Sequence, residues 1–240
     1  MSKCVIPFSG GMDSTTILYH AIQLHDEIFA VSINYGQRHL ESELCAVRKV
    51  LFSLVASKQR KCKITHKILN LEFFREISNA SALTNDGIDV ALAKNVMGDP
   101  QTVNYVPFRN LMILSICSAF AETVGAEVVY HGAAQADSVA GFWDGSPEFL
   151  NAINNVNQLN RRHKIRIEAP LIDKSKADII KWGTMLGVDY SKTWTCYQGK
   201  EKACGECTAC ALRLKGFIDA GIPDPIPYAK DIDWKSLIKI

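Results

Sequence analysis

The chain has 240 residues, of which 48% are apolar and 22% charged, with 15 Gly and 8 Pro. This average globular composition excludes the disordered, collagen-like and low-complexity classes, and the length excludes a small scaffold held by disulfides alone. The formal charge of +2 does not indicate a nucleic-acid or membrane surface, and we expect neither partner.

The first half of the chain alternates short apolar runs with segments of helical periodicity, which is typical of βα units stacked around a parallel sheet. The predicted strands are 4–8, 28–35, 64–69, 127–132 and 165–169. The predicted helices are 14–25, 41–57, 110–124, 147–160, 175–186 and about 210–220. Ser175 and Asp178 have the spacing of a capping box. Residues 70–104 show little periodicity and predict an insertion or a mobile loop beside a site.

The longest apolar stretch, residues 111–129, is interrupted by serines, a threonine and two glutamates. It therefore falls short of the roughly 20 apolar residues that a membrane span needs. The N-terminus leads directly into the first predicted strand, without the apolar region and cleavage site of a signal peptide. We expect a cytoplasmic protein.

The first predicted strand is followed by the loop sequence SGGMDST, residues 9–15. Adjacent glycines let the backbone approach a bulky anion, and the N–H groups entering a helix favour negative charge. Ser9, Ser14 and Thr15 add hydroxyl donors. The loop lacks the lysine of a Walker A motif and the three-glycine spacing of a dinucleotide fingerprint. These residues alone leave two interpretations open: a phosphate-binding loop, or an ordinary strand-to-helix turn in which Asp13 caps the helix.

Four of the eight cysteines fall in the window 196–210, with the spacing C-x7-C-x2-C-x2-C. Four thiolates in close pairs suit a tetrahedral Zn²⁺ ion, and a site with no open position is structural. Spacing does not choose the metal, so an iron–sulfur cluster remains the alternative. The predicted ligands are Cys196, Cys204, Cys207 and Cys210.

The loop resembles that of the N-type ATP pyrophosphatases (PP-loop proteins), which cleave ATP to AMP and pyrophosphate while adenylating a substrate oxygen. Further motifs narrow the resemblance to the 7-cyano-7-deazaguanine synthase family. These motifs are YGQRHLESE at 35–43, VPFRN at 106–110, TWTCY at 193–197, the four cysteines and AGIPDPIPY at 220–228. The resemblance implies an open, doubly wound parallel α/β sheet with ATP at the carboxyl ends of its strands. It also implies an ATP pyrophosphatase domain over residues 1–192, with a zinc-binding segment over 193–240 packed on it.

The resemblance also implies roles for individual residues. The residues implied to bind ATP are Ser9, Gly10, Gly11, Met12, Asp13, Ser14, Thr15 and Gln37. The residues implied to be catalytic are Asp13, Arg38, His39, Arg109 and Asn110, with Asp13 also placing Mg²⁺. The residues implied to bind the substrate are Asp137, Trp143, Asp144 and Glu148.

The segment 141–149 departs from the family pattern. Where the family commonly has an aromatic-Pro-Asp-Cys-Arg sequence, this chain has Gly145 and Ser146 in place of the Cys-Arg pair. An arginine that reads the substrate carboxylate in relatives would be missing here. Trp143 could still stack on a deazapurine ring, although ordinary core packing explains an aromatic residue equally well.

The activity implied by the resemblance is conversion of 7-carboxy-7-deazaguanine and ammonia to 7-cyano-7-deazaguanine, with ATP, Mg²⁺ and Zn²⁺, by a homodimer. ATP adenylates the carboxylate, ammonia displaces AMP to give an amide, and a second ATP drives elimination to the nitrile. The altered segment keeps open a variant that stops at the amide. A tRNA-thiolating enzyme is a further alternative, and a zinc-bearing nucleic-acid binding module is disfavoured by the near-neutral charge.

Overall fold

The computed structural model describes residues 1–56, 62–99, 101–139 and 142–238. The strands in these ranges are β1 Lys3–Pro7, β2 Glu27–Asn34, β3 Lys63–Asn70, β4 Val128–Tyr130 and β5 Arg166–Glu168. These five strands form one parallel sheet in the order β3-β2-β1-β4-β5. All five predicted strands are confirmed, with small shifts at their ends, and the parallel α/β class is confirmed with them.

The six predicted helices are also present. They are α1 Met12–Leu24, α2 Leu40–Ala56, α5 Arg109–Val124, α7 Pro147–Gln158, α8 Lys176–Met185 and α9 Thr208–Ala220. Four short α-helices in the described part of the chain were not predicted: α3 Phe74–Ile77, α4 Ala93–Val96, α6 Gln135–Val139 and α10 Trp234–Ile238. Residue 57, the predicted end of the second helix, and residue 141 lie outside the described residues.

The start of α8 confirms the predicted capping box. The Asp178 backbone N–H donates to Ser175 Oγ at 3.1 Å, and the Ser175 N–H donates to Asp178 Oδ2 at 3.3 Å. Two N–H groups that have no partner inside the helix are therefore satisfied by side chains. The cap fixes the first turn of α8, which carries Lys176.

The core lies on both faces of the sheet because alternate side chains of a strand point to opposite sides. Val5 packs in one apolar cluster, whereas Cys4 and Ile6 pack in the other. The first cluster includes residues of α5 and α7, and the second includes residues of α1, α2 and α8. Each fully buried aliphatic side chain contributes about 1.5–3 kcal/mol. Burial on both faces explains why the central strands β1 and β4 are apolar runs, whereas the edge strand β3 carries polar residues and is largely exposed or half-buried.

The order of the strands determines where a binding crevice can form. From β1 the chain moves outward through β2 to β3, then returns to the other side of β1 as β4. Such a reversal opens a crevice at the carboxyl ends of the two central strands. The loop between β1 and α1 therefore faces the loop that follows β4.

Residues 78–99 and 101–106, which we call the cap segment, cover this crevice. The weak periodicity of residues 70–104 predicted an insertion or a mobile loop, but within this range Ser81, Ala82 and Leu83 are fully buried. The Ala93 N–H donates to the Glu206 carbonyl at 2.7 Å, and Leu92 forms an antiparallel bridge with Cys207. Contacts with a distant part of the chain hold the cap segment, so it needs no periodicity of its own.

No helix within the described ranges is both long and apolar enough to cross a bilayer.

Candidate active site and metal centre

A cavity of about 350 Å³ lies at the carboxyl ends of the central strands. Residues from four places line it: the loop of residues 9–15, which we call the phosphate loop, the segment after β2, the start of α5 and the segment after β4. The sequence-predicted residues that line it are Ser9, Gly11, Met12, Asp13, Ser14, Gln37, His39, Arg109, Asn110, Asp137 and Asp144. The lining does not include Gly10, Thr15, Arg38, Trp143 or Glu148.

The phosphate loop is braced by its own hydroxyl groups. Ser9 Oγ accepts from the Gly11 N–H at 3.3 Å and lies 3.3 Å from Ser14 Oγ. Gly10 has a φ of +71°, and a Cβ there would lie 2.7 Å from the Val47 nitrogen of α2. Glycine is therefore required at this position both by its left-handed backbone and by its close approach to α2. The helix begins at Met12, two residues before the predicted start, so its N-terminus points into the cavity.

Asp13 forms an ion pair with a lysine that sequence reasoning missed. Lys176 Nζ lies 2.8 Å from Asp13 Oδ2, and the lysine side chain is only 11% exposed. Burial disfavours the ammonium, but the Asp13 and Asp137 carboxylates outweigh it and raise the pKa of Lys176. Asp13 Oδ1 is buried with no hydrogen-bond partner among the described residues. One oxygen of this carboxylate is therefore free to bind a cation or a donor.

Arg109 extends from the first turn of α5 into the same cavity. Its Nη1 donates to the Tyr35 hydroxyl at 3.5 Å, and burial is outweighed by nearby tyrosines and Asp144, which raise its pKa. Phe108, immediately before the helix, has a φ of +55°, the one left-handed non-glycine backbone in the described chain. Such strain costs about 1–3 kcal/mol and is found mainly at functional sites. The left-handed backbone of Phe108 allows α5 to begin at Arg109, which lines the cavity.

The segment after β2 is ordered by Gln37 and Glu43. Gln37 accepts from the Tyr35 N–H at 2.9 Å and donates to Glu43 Oε2 at 2.8 Å, so its amide is engaged by the protein. His39 is 4% exposed, and burial together with Arg109 and Arg38 lowers its pKa to about 3. Arg38 itself turns away and donates to the Asn85 carbonyl of the cap segment.

The opposite wall carries acidic and aromatic groups. Burial raises the pKa of Asp144, against the influence of Arg109 and His131. Asp137 Oδ2 accepts from the Ala134 N–H at 2.9 Å. Trp143 is 42% exposed at the rim, where its indole N–H donates to the Tyr105 hydroxyl at 2.9 Å. Glu148 is exposed in the first turn of α7.

Gly145 explains part of the departure from the family pattern. A Cβ at Gly145 would lie 2.6 Å from the Asp137 Cβ, closer than real Cβ contacts allow. Any larger residue at 145 would therefore displace α6, which carries Asp137. The next residue, Ser146, caps α7 by accepting from the Phe149 N–H at 3.1 Å.

The four clustered cysteines meet in space. All four Sγ atoms lie within 4.8 Å of one another, and those of Cys204 and Cys210 are 3.8 Å apart. A tetrahedron with metal–sulfur distances of about 2.3 Å has edges of about 3.8 Å. The donor set therefore fits a metal ion held by thiolates.

Arg213, also missed from the sequence, ties this centre to the cavity. It is 1% exposed and donates two hydrogen bonds to Asp224, at 2.6 and 2.9 Å. Its other N–H groups reach Thr193, Thr195 and the Tyr190 carbonyl. All five guanidinium donors are thus satisfied. Arg213 therefore acts as a structural clamp: its hydrogen bonds join two of the sequence motifs, TWTCY and AGIPDPIPY.

Fold and site together define a doubly wound α/β protein with a glycine-rich loop at the mouth of a cavity and a four-cysteine cluster that could hold a metal ion. Comparison with known proteins identifies the family within this class. The family model for "Queuosine biosynthesis protein QueC" matches residues 3–221. The 7-cyano-7-deazaguanine synthase of Aromatoleum aromaticum is 44% identical over 233 residues, which cover 94% of this chain and 97% of that protein. The synthase of Thermoplasma volcanium is 40% identical over 245 residues, covering 99% and 96%. The chain belongs to the QueC family of 7-cyano-7-deazaguanine synthases.

Proposed function

We propose that this protein converts 7-carboxy-7-deazaguanine and ammonia to 7-cyano-7-deazaguanine, consuming two ATP and releasing AMP and pyrophosphate. The observation that carries the proposal is that the phosphate loop and a wall of acidic groups line one cavity. ATP and an oxygen of a second substrate would therefore meet there. Family membership supplies the chemical identity of that substrate.

The triphosphate binds at the N-terminus of α1, where backbone N–H groups and the hydroxyls of Ser9 and Ser14 face the cavity. Lys176 and Arg109 contribute positive charge to the same space. Mg²⁺ would be held by the free oxygen of Asp13 and would offset the charge of the phosphates. Attack of a substrate oxygen on the α-phosphate then needs positioning and charge stabilisation rather than a covalent enzyme intermediate.

The deazaguanine ring binds toward the acidic wall. Asp137 and Asp144 can accept from its ring N–H and exocyclic amine, and Trp143 offers an aromatic face at the rim. Glu148 would contact the substrate only if the rim rearranged, because it is exposed outside the cavity lining.

The metal at the four cysteines is zinc in this proposal. A four-iron cluster binds each cysteine to a different iron, which holds the sulfurs further apart than a single ion does. Sulfur atoms within 4.8 Å of one another therefore favour one Zn²⁺. When bound, the ion stabilises the fold of the segment around it rather than taking part in ATP chemistry.

The test is to incubate the purified protein with ATP, Mg²⁺, ammonium and 7-carboxy-7-deazaguanine, and to identify products by mass spectrometry. Nitrile formation, with two AMP for each nitrile, is the expected result. Amide as the sole product would establish the one-step variant that the Gly145–Ser146 sequence leaves open. Absence of both products and of pyrophosphate release would overturn the substrate assignment.

A further inference from the structure

The cavity contains a buried carboxylate, that of Glu43, to which the proposed binding of ATP and of the deazaguanine assigns no role. Glu43 belongs to the first turn of α2, its side chain is 18% exposed, and it lines the cavity. Residues three and four positions further along the helix, Ala46 and Val47, contact Gly10 of the phosphate loop. Because residues at this spacing share a helix face, Glu43 lies one turn away from the loop.

Only one of the Glu43 oxygens is fully engaged. Oε2 accepts from Gln37 Nε2 at 2.8 Å, whereas Oε1 lies 3.7 Å from His39 Nε2, beyond hydrogen-bond range. His39 Nδ1 is buried and has no hydrogen-bond partner within the described ranges. Glu43 Oε1 therefore lacks a close hydrogen-bond partner among the described residues, and His39 Nε2 is the imidazole nitrogen that faces it in this corner of the cavity.

The chemistry of this corner suits a small nitrogen ligand better than Mg²⁺. The carbonyl oxygen of Gln37 is occupied by the Tyr35 N–H, so Gln37 presents its NH₂ group to Glu43. The corner therefore offers one carboxylate beside N–H groups and an imidazole, whereas Mg²⁺ needs a near-octahedral set of oxygens. An ammonium ion has only N–H donors, which the open oxygen of Glu43 accepts.

We propose that Glu43, supported by His39, receives the ammonium substrate and removes a proton from it; this inference rests on the proposed function. The proton moves to Glu43 Oε1 and leaves a lone pair on nitrogen. That lone pair attacks the carbonyl carbon of the adenylated substrate, forming a C–N bond. The C–O bond to the phosphate breaks, and AMP leaves with its electron pair. The nitrogen then loses a second proton to water, giving the amide, and Glu43 returns its proton to solvent.

The surrounding charges support this direction of proton transfer. Burial of Glu43, against the effects of Gln37 and Arg109, raises its pKa to about 7, which suits a base at neutral pH. The positive charge of Arg109 disfavours a second cation nearby and so promotes loss of a proton from ammonium. His39 remains uncharged in the same corner.

The experiment compares E43Q with the matched control E41Q, which removes an exposed carboxylate from the same helix turn. Exchange of labelled pyrophosphate into ATP, dependent on 7-carboxy-7-deazaguanine and without ammonia, measures adenylation alone. Amide formation is then measured with ammonium and with hydroxylamine, which is uncharged at neutral pH and needs no base to free its lone pair.

For E43Q we expect exchange within about twofold of the unaltered protein, and kcat/KM for ammonium lower by about 100-fold. Hydroxamate formation from hydroxylamine should fall by no more than a few-fold, and E41Q should match the unaltered protein in every assay. Equal losses with ammonium and hydroxylamine, or loss of exchange in E43Q, would overturn the ammonium site. Absence of exchange in the unaltered protein would instead overturn the proposed function, and the ammonium site with it.

Discussion

The Trp194 N–H donates a hydrogen bond of 3.0 Å to the Gly10 carbonyl oxygen. This bond joins the phosphate loop to the segment that leads directly into Cys196, the first predicted metal ligand. Three residues after Trp194, and directly after Cys196, the Tyr197 side chain lines the cavity. The four-cysteine cluster and the cavity are therefore connected by one short stretch of chain.

Metal removal should weaken nucleotide binding as well as stability. Without the ion, Cys196 and Cys207 lose their common partner, and the bridge from Cys207 to the cap segment loosens with them. We expect one zinc per chain by elemental analysis, and a fall in both Tm and ATP affinity after chelation. Cys207→Ser should reproduce the loss, while Cys45→Ser, outside the cluster, should not. Unchanged ATP affinity in the metal-free, folded protein would contradict this coupling.

Lys176→Met should reduce activity by about 100-fold or more, because it removes a buried positive charge from the cavity in which we propose that the triphosphate binds. Steady-state kinetics with varied ATP would show the loss in kcat/KM. The control is Lys181→Met, an exposed lysine of the same helix. Retained activity in Lys176→Met would show that the Asp13 ion pair has only a structural role.

Gly10→Ala should destabilise the fold by about 2–4 kcal/mol, from backbone strain and from the clash with α2. Gly125→Ala is the matched control: it has the similar φ of +69° but open space around the new Cβ. The control should lose only about 1 kcal/mol. Urea unfolding of both variants measures the difference, and equal losses would mean that the contact with α2 contributes nothing.

The sequence predicted the features that depend on neighbours along the chain. The capping box of Ser175 and Asp178 and the glycines of the phosphate loop are local, because each residue acts on backbone a few positions away. Lys176 was missed because its partner, Asp13, lies in a different βα unit. The order within the cap segment was missed for the same reason, since Ala93 is held by Glu206. The family resemblance supplied roles for His39 and Arg109 that periodicity alone does not give.

Arg213→Met should destabilise the protein by about 3–5 kcal/mol, because it leaves the buried Asp224 carboxylate without its ion partner. The Tyr228 hydroxyl still donates to Asp224, which limits the loss to this range. Lys215→Met is the control, since that lysine is exposed on the same helix and pairs only with Asp219. A change below about 1 kcal/mol in Arg213→Met would contradict the assignment of Arg213 as a structural clamp.

The stability of the protein should depend on pH through Glu43. Its pKa is about 7 in the folded chain against 4.5 for the free group, so the folded state binds more protons between these values. The contribution of Glu43 is fully present below about pH 4.5 and is lost as the pH rises through 7. E43Q should therefore gain stability relative to the unaltered protein as the pH rises over this window. Urea unfolding at several pH values tests this, with E41Q as control; a constant difference would contradict the burial of Glu43.

The central claim is that ATP activates an oxygen of the substrate at its α-phosphate. The most direct measurement uses 7-carboxy-7-deazaguanine labelled with ¹⁸O at both carboxylate oxygens and follows the label by mass spectrometry. Adenylation of the substrate oxygen predicts one ¹⁸O in each AMP released, first from the carboxylate and then from the amide, with unlabelled pyrophosphate. Unlabelled AMP, with the label released as water or as inorganic phosphate, would contradict it.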